Sequence, residues 1–362
     1  MELSAFRVAA GAKSRVVTNR GRRKLDQSGQ VDLSHGAGGR AMAQLIAGIF
    51  HSALDNDWLR QGNDQSVFDV PAGRLAMATD AFVVSPLFFP GGDIGSLAVH
   101  GTVNDIAMSG ARPLFLSASF IIEEGFSLAD LARIAQSMGA ASRAAGVPVI
   151  AGDTKVVERG KADGVFISTA GVGVVPEGLA LSGDKARPGD VAILSGSIGD
   201  HGVAIMSKRE NLAFDCEIES DSAALNGLVA DMVAAAGASL RLMRDPTRGG
   251  LAATLNEIAQ QSRIGFRLEE AAIPVKPEVA AACELLGLDP LNVANEGKLV
   301  AVAAPESAQQ LLAAMRAHPL GRDAAIIGFI VEDERRLVQM RSSFGGARIV
   351  DWLAGEQLPR IC

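Results

Sequence analysis

Five aspartates stand where loops meet regular elements, the positions that most often carry chemistry: Asp64, Asp80, Asp105, Asp153 and Asp245. Asp64 lies in a polar loop, Asp80 ends a strand-like run over 75–80, and Asp105 follows Asn104 inside a small, apolar helix. Asp153 belongs to Gly152-Asp153-Thr154-Lys155, and Asp245 to Arg244-Asp245-Pro246-Thr247-Arg248-Gly249-Gly250. No thiolate or imidazole cluster accompanies them, since Cys216, Cys283 and Cys362 share no CxxC spacing and the five histidines are scattered. An all-oxygen set suits a hard cation such as Mg²⁺, which keeps several waters and bridges nucleotide phosphates. Asp64, Asp80, Asp105 and Asp245 are therefore the candidate metal ligands, and ATP the candidate cofactor. Carboxylates alone repel phosphate, so Lys155 and backbone amides are expected to supply the remaining positive potential.

A second chemistry-bearing feature is the last residue. Cys362 ends Leu358-Pro359-Arg360-Ile361-Cys362, and Gly345, Gly346 and Gly355 precede it. A thiol on such an arm can be carried into an active site as a substrate; a frayed end has the same appearance. Arg360 is expected to favour the thiolate. Glu296, in Asn295-Glu296-Gly297-Lys298, sits where a turn meets a strand, which suits a positioned base or a turn-stabilising carboxylate. Gly38 and Gly39, ahead of an apolar helical run, can cradle phosphate or serve as a plain connector. Asn104 is poorly explained by helix propensity and reads as a cofactor contact or a buried hydrogen-bonding residue. Gly152, Asp153 and Thr154, after the short apolar strand 147–151, offer close backbone approach, a carboxylate and a hydroxyl. His201 reads as an acid or base, or as a loop histidine satisfying local hydrogen bonds.

The elements that must position these groups follow from periodicity. Ser127 and Asp130 open a helix carrying Leu128, Leu131, Ile134, Ala135 and Met138 at helical spacing. Strands are expected over 114–122, 165–175, 191–194, 299–303, 326–331 and 337–340, with a helix over 225–243. The linker candidate is 185–190. The resulting organisation is a basic extension over 1–30, a first α+β half over 31–184, a second over 185–344 and a mobile tail over 345–362. With 362 residues, 48% hydrophobic and 21% charged, the chain can bury real cores. No apolar run is long enough to cross a bilayer and no leader segment is evident, which predicts a cytoplasmic protein without a membrane partner. A net charge of -7 disfavours nucleic acid; the +5 carried by residues 1–30 is the local exception.

The ordered motifs LSHGAGGRAM, ATDAFVVSPLFFPGGDIG, GTVNDIAMSGA, AGDTKVV, GDHG, RDPTRGGL, NEGKL and the terminal PRIC resemble the HypE family of hydrogenase maturation factors, from about Leu33 to Cys362. That family is similar to aminoimidazole ribonucleotide synthetase, selenophosphate synthetase and thiamine monophosphate kinase, and the PRIC terminus separates it from them. The resemblance implies an α/β fold of two α+β halves with a flexible tail, a homodimer through the first half, and ATP with Mg²⁺ in a cleft. It implies that the HypF carbamoyltransferase loads Cys362 and that ATP-dependent dehydration of the S-carboxamide gives a thiocyanate. The cyano group would then pass to iron on a HypC–HypD complex during [NiFe] hydrogenase assembly. By their matching motifs, Glu296 becomes the base and Lys155 the group orienting a phosphorylated intermediate. Two other readings are a sibling enzyme phosphorylating a free small molecule, with no need of Cys362, and a noncatalytic thiol carrier or scaffold.

Overall fold

The computed structural model describes residues 25–63, 65–212, 218–353 and 360–362. Asp64, Cys216, Gly355, Pro359 and residues 1–24 lie outside the described residues. Two short helices, α1 (Arg40–Leu45) and α2 (His51–Leu54), flank a π-helical turn at Ile46–Phe50. Next come β1 (Arg74–Phe82), the two-residue strands β2 (Phe88–Phe89) and β3 (Gly92–Asp93), α3 (Ile94–Met108) and β4 (Arg112–Glu123). The first half is completed by α4 (Leu128–Ala145), β5 (Val149–Val157) and β6 (Val165–Val175). Its sheet has the order β1-β6-β4-β5, antiparallel except for the β4–β5 pair.

Side-chain alternation explains why this sheet is covered on one face. Along β6, Val165, Ile167, Thr169 and Val175 are buried and point one way. Helices α3 and α4 pack on that face; Leu75, Met77 and Ile121 stand exposed, and the two β1 residues alternate to the opposite face. The Ser127 side chain accepts from the Asp130 N–H at 3.2 Å to cap α4, and the five expected apolar positions are all buried. Helix α3 is capped reciprocally by Asp93 and Ser96, and nearly all of it is inside. Gly101 lets it lie close on β1: a Cβ there would come 2.9 Å from the Phe82 ring and 3.4 Å from Asp80 Oδ2. Asp105, one turn further, thereby shares a face with that approach.

The second half runs β7 (Val191–Leu194), α5 (Asp200–Arg209), α6 (Asn226–Ala236), β8 (Leu240–Arg244), α7 (Gly250–Ser262), β9 (Gly265–Glu269) and α8 (Pro277–Leu286). It ends with β10 (Val300–Ala303), α9 (Ala308–Ala317), β11 (Ala325–Val331), β12 (Val338–Arg341) and β13 (Ala347–Ile349). Its sheet has the order β13-β12-β9-β11-β7-β10-β8.

Two local expectations need correction. The helix expected over 225–243 is broken: α6 stops at Gly237, which adopts φ 47°, and Leu240, Leu242 and Met243 then pair with β10. Tertiary pairing overrides local helix propensity there. The strand expected to end before Gly152 instead continues to Val157, because β4 offers a parallel partner as far as Glu123. Gly152, Asp153, Thr154 and Lys155 are therefore within a strand, on alternating faces.

Candidate active site between the two halves

Three elements bring carboxylates together. In β1, Ala78, Asp80 and Phe82 alternate inward while Met77, Thr79 and Ala81 face out. Asp105 comes from α3, and Asp245 follows β8, ahead of the turn into α7. Glu296 lies in the loop before β10, buried, with Oε1 lacking a hydrogen-bond partner among the described residues.

Their proton affinities report the crowding. Burial raises Asp80, and Arg248 opposes the rise. Asp105 is pushed up to about 7 by burial and then by Asp245 and Asp80, with Arg244 opposing. Asp245 is pushed up to about 6, again by burial first, with Asp80 and Glu257 adding to it. Glu296 rises well above the usual carboxylate range through burial, then Asp245, Asp221, Asp80 and Asp105. Like charges held together without full compensation are the electrostatic signature of a site awaiting a cation or proton. Among the described residues, no three Asp, Glu, His or Cys converge into a ready metal cage. The donors that do approach one another are all carboxylate oxygens, a chemistry that suits a hard cation.

The chain end is part of this site. The sequence reads it as a mobile arm, yet its last three residues are held against the segment after β1: Val83 N–H donates to a terminal carboxylate oxygen of Cys362 and Ser85 N–H to the Arg360 carbonyl, both at 3.1 Å, with Arg360 in a left-handed bend at φ 56°. Ile361 is buried in the first half's core, next to Ile205 of α5 and Ala294, with Cys362 packed against that cluster. Burying an isoleucine contributes about 1.5–3 kcal/mol, so this side chain is the tail's apolar anchor. Arg209 of α5 donates to Ser85 O at 2.9 Å through Nε and to Arg360 O at 2.8 Å through a terminal nitrogen, gripping both strands of the pairing. The Cys362 thiol is raised far above its ordinary value by burial and then by Glu296, against Arg248. The expectation that Arg360 favours the thiolate is not met, because its guanidinium pairs with Asp163 at 2.5 Å.

Asn104 shows the second of its two readings, a buried hydrogen-bonding residue. Its amide nitrogen donates to Ala223 O at 3.0 Å and Glu296 O at 3.2 Å, and its oxygen accepts from Leu225 N–H at 2.7 Å. Those bonds engage both its donor and its acceptor side, so this buried residue ties α3 to the loop that carries Glu296.

The remaining candidates gather elsewhere. Gly39 is the N-cap of α1 and Gly38 has φ 75°, with open space beside both. Gly152, Asp153 and Thr154 line a cavity of about 110 Å³ with Met42 of α1 and Phe50. Lys155 and Asp153 alternate to the sheet face opposite Thr154, where they form an exposed ion pair at 3.0 Å. Asp80 is on the helix-covered face, so Lys155 points away from the thiol and Glu296 of its own chain.

Sequence reasoning missed Asp221. Nearly wholly buried, it accepts from Glu296 N–H at 3.1 Å, Gly297 N–H at 3.3 Å and Lys298 Nζ at 3.1 Å, holding the loop that carries Glu296. Gly297 is required for this approach, since a Cβ there would fall 1.8 Å from Asp221 O. An acidic, serine-rich segment carries no periodicity, and nothing in it marks Asp221 as paired. Arg248, next to the cluster, was visible only as part of its motif.

Residues 62–175 match the family described as AIR synthase related protein, N-terminal domain, and residues 187–340 its C-terminal domain. The chain is 76% identical over 342 residues to the carbamoyl dehydratase HypE of Rhizobium leguminosarum bv. viciae, covering 94% of this chain and 98% of that one. It is similar to the crystal structure of a hydrogenase maturation protein HypE in complex with ATP, at TM-score 0.88 and 49% identity, covering 91% of this chain and 99% of that one. A HypE–HypF complex structure matches at TM-score 0.76 and 47% identity, covering 87% and 100% respectively. Among the described residues, no helix is long and apolar enough to cross a membrane.

Proposed function

Because the chain belongs to the carbamoyl dehydratase HypE family, built on the two-domain AIR synthase-related fold, we propose that it performs ATP-dependent dehydration of an S-carboxamide on its own Cys362. The product is a thiocyanate that supplies the cyano ligand of a [NiFe] hydrogenase. The observation that carries this reading is the docked chain end, which sets the Cys362 thiol within the electrostatic reach of Glu296.

The chemistry balances as follows. The carboxamide oxygen attacks the γ-phosphorus of ATP, releasing ADP, while one nitrogen proton leaves to a base. The C–O bond then breaks with loss of the second nitrogen proton, giving phosphate and the nitrile on sulfur. Glu296 suits the base: buried and crowded by carboxylates, it has the high proton affinity that proton abstraction requires. Asp221 and Asn104 fix its loop, and the backbone of Val83 and Ser85 fixes the substrate arm, so the reacting groups meet without a bimolecular search. Mg²⁺ held by Asp80, Asp105 and Asp245, with Asp64 as a further ligand, would screen the nucleotide phosphates. Gly38, Gly39, Gly152, Asp153 and Thr154 form the proposed nucleotide-facing region of the first half.

Lys155 faces outward, so its proposed contact with the phosphorylated intermediate depends on a homodimer packed through the exposed face bearing Leu75 and Met77. HypF would load the thiol, as the HypE–HypF structure of a relative supports, and a HypC–HypD complex would take the cyano group. The protein is read as cytoplasmic. The deciding measurement is mass spectrometry of the terminal peptide after carbamoylation. ATP-dependent loss of one water supports the reading, and ATP turnover without that loss excludes it.

A further inference from the structure

The docked tail raises the question of what holds its last residues in place, since a shift of the chain end would carry Cys362 away from Glu296 and expose the buried Ile361. Two backbone bonds and the Arg209 grip act along the pairing, and one side chain acts from beneath it. His201 of α5 has no solvent exposure; its Nε2 lies 3.0 Å from the Ile361 carbonyl and its Nδ1 lies 2.8 Å from Ser220 Oγ. The Phe89 ring meets the imidazole edge-on, with centroids 5.6 Å apart and an interplanar angle of 89°.

The tautomer follows from the partners. The Ile361 carbonyl can only accept, so Nε2 carries the ring proton and donates it. Burial disfavours a charged ring, so Nδ1 accepts from the Ser220 hydroxyl, whose oxygen in turn accepts from Ser222 N–H at 3.1 Å. We propose that His201 is the latch of the docked C-terminal segment, a positioning residue whose buried, Ser220-oriented imidazole holds the Ile361 carbonyl and so keeps Cys362 near Glu296. This deepens the functional reading above and rests on it only for the purpose of the latch; the docking contacts themselves are all made by residues of this chain. The same interaction explains why the histidine of GDHG sits at the first turn of α5 without touching the carboxylate cluster as an acid or base would.

The test is the rate at which iodoacetamide alkylates Cys362 in the full chain, followed by peptide mass spectrometry, with buried Cys283 of α8 as internal reference. Removing the latch leaves a carbonyl unpaired and releases the tail more often, so His201→Ala should raise the Cys362 rate by about tenfold while Cys283 stays protected. His201→Gln, whose amide can donate to Ile361 and accept from Ser220, should restore most of the protection. An unchanged Cys362 rate in His201→Ala with Cys283 protected overturns the proposal, as does failure of Gln to improve on Ala. Should His201→Ala also expose Cys283, Ser220→Ala takes its place: faster Cys362 labelling with Cys283 protected upholds the latch, and no acceleration overturns it. A confirmed latch in a protein that never dehydrates its tail would sink the functional reading and leave this one standing.

Discussion

The carboxylate cluster between the halves and the Asp153–Lys155 edge of the first sheet hold the same residue types under opposite conditions. At the edge, carboxylate and ammonium are exposed and satisfied by each other, and Asp153 is held below its ordinary value by the Lys155 hydrogen bond. In the cluster, four carboxylates share a partly dry space with Arg244 and Arg248 as the nearby cations, and every one of them is held above its ordinary value. The first arrangement is near its electrostatic minimum and needs nothing. The second is unfinished until a cation or protons arrive, which is where reactivity resides.

That contrast can be broken most severely at Glu296. Glu296→Gln keeps shape and loses the base, so conversion of the carbamoylated tail should fall by about 10²–10⁴-fold while ATP binding changes little, read by mass spectrometry and calorimetry. Conversion at the normal rate would move the base elsewhere. Asp221→Asn should come next. It leaves Lys298 buried without its partner, for a loss of about 3–5 kcal/mol visible in denaturant midpoint, and lowers kcat more than it raises KM for ATP. A variant stable and fully active would show that the base loop holds itself.

The pH dependence sharpens the same difference. Asp105 and Asp245 have folded values of about 7 and about 6 against an ordinary 3.8, so the folded protein holds these protons more tightly than the unfolded chain does. Their contribution is fully present below pH 3.8 and is lost as pH rises through 6 and 7. Melting of the metal-free protein should therefore shift to lower temperature between pH 5 and pH 8, with Asp105→Asn flattening the trend and Mg²⁺-ATP opposing it. A trend of the opposite sign would remove the case for an uncompensated cluster. Lys155→Ala should have the smallest effect on folding, below about 1 kcal/mol in thermal or chemical melts, as expected of an exposed pair. A larger loss would place that face in a permanent interface.

Much of this was legible in the chain because motif residues mark strand ends and helix starts. The α4 cap and stripe, Asp80 at the far end of β1, and the Gly-Gly entry to α7 all stand where periodicity and turn chemistry put them. What was illegible depends on partners distant in sequence. β5 runs past Gly152 because β4 is beside it, and 225–243 breaks because Gly237 and the β10 pairing override a helical pattern. Asn104 looked like a ligand contact because an amide in an apolar helix needs partners; only the fold reveals that the partners are Ala223, Leu225 and Glu296. Asp221 gave no signal at all, since an isolated acidic residue reads as solvated.

The pairing of the chain end with Val83 and Ser85 has a kinetic consequence. A substrate built into the enzyme's own backbone is present at an effective concentration set by its tether, which for short flexible connections is of millimolar order, whatever the concentration of the protein. If Cys362 is the substrate, as proposed, conversion within one chain is first order and indifferent to dilution, and the ordinary meaning of substrate saturation applies to ATP alone. Under the proposed reaction, each chain would complete one round and then have to pass its product on before it could begin again.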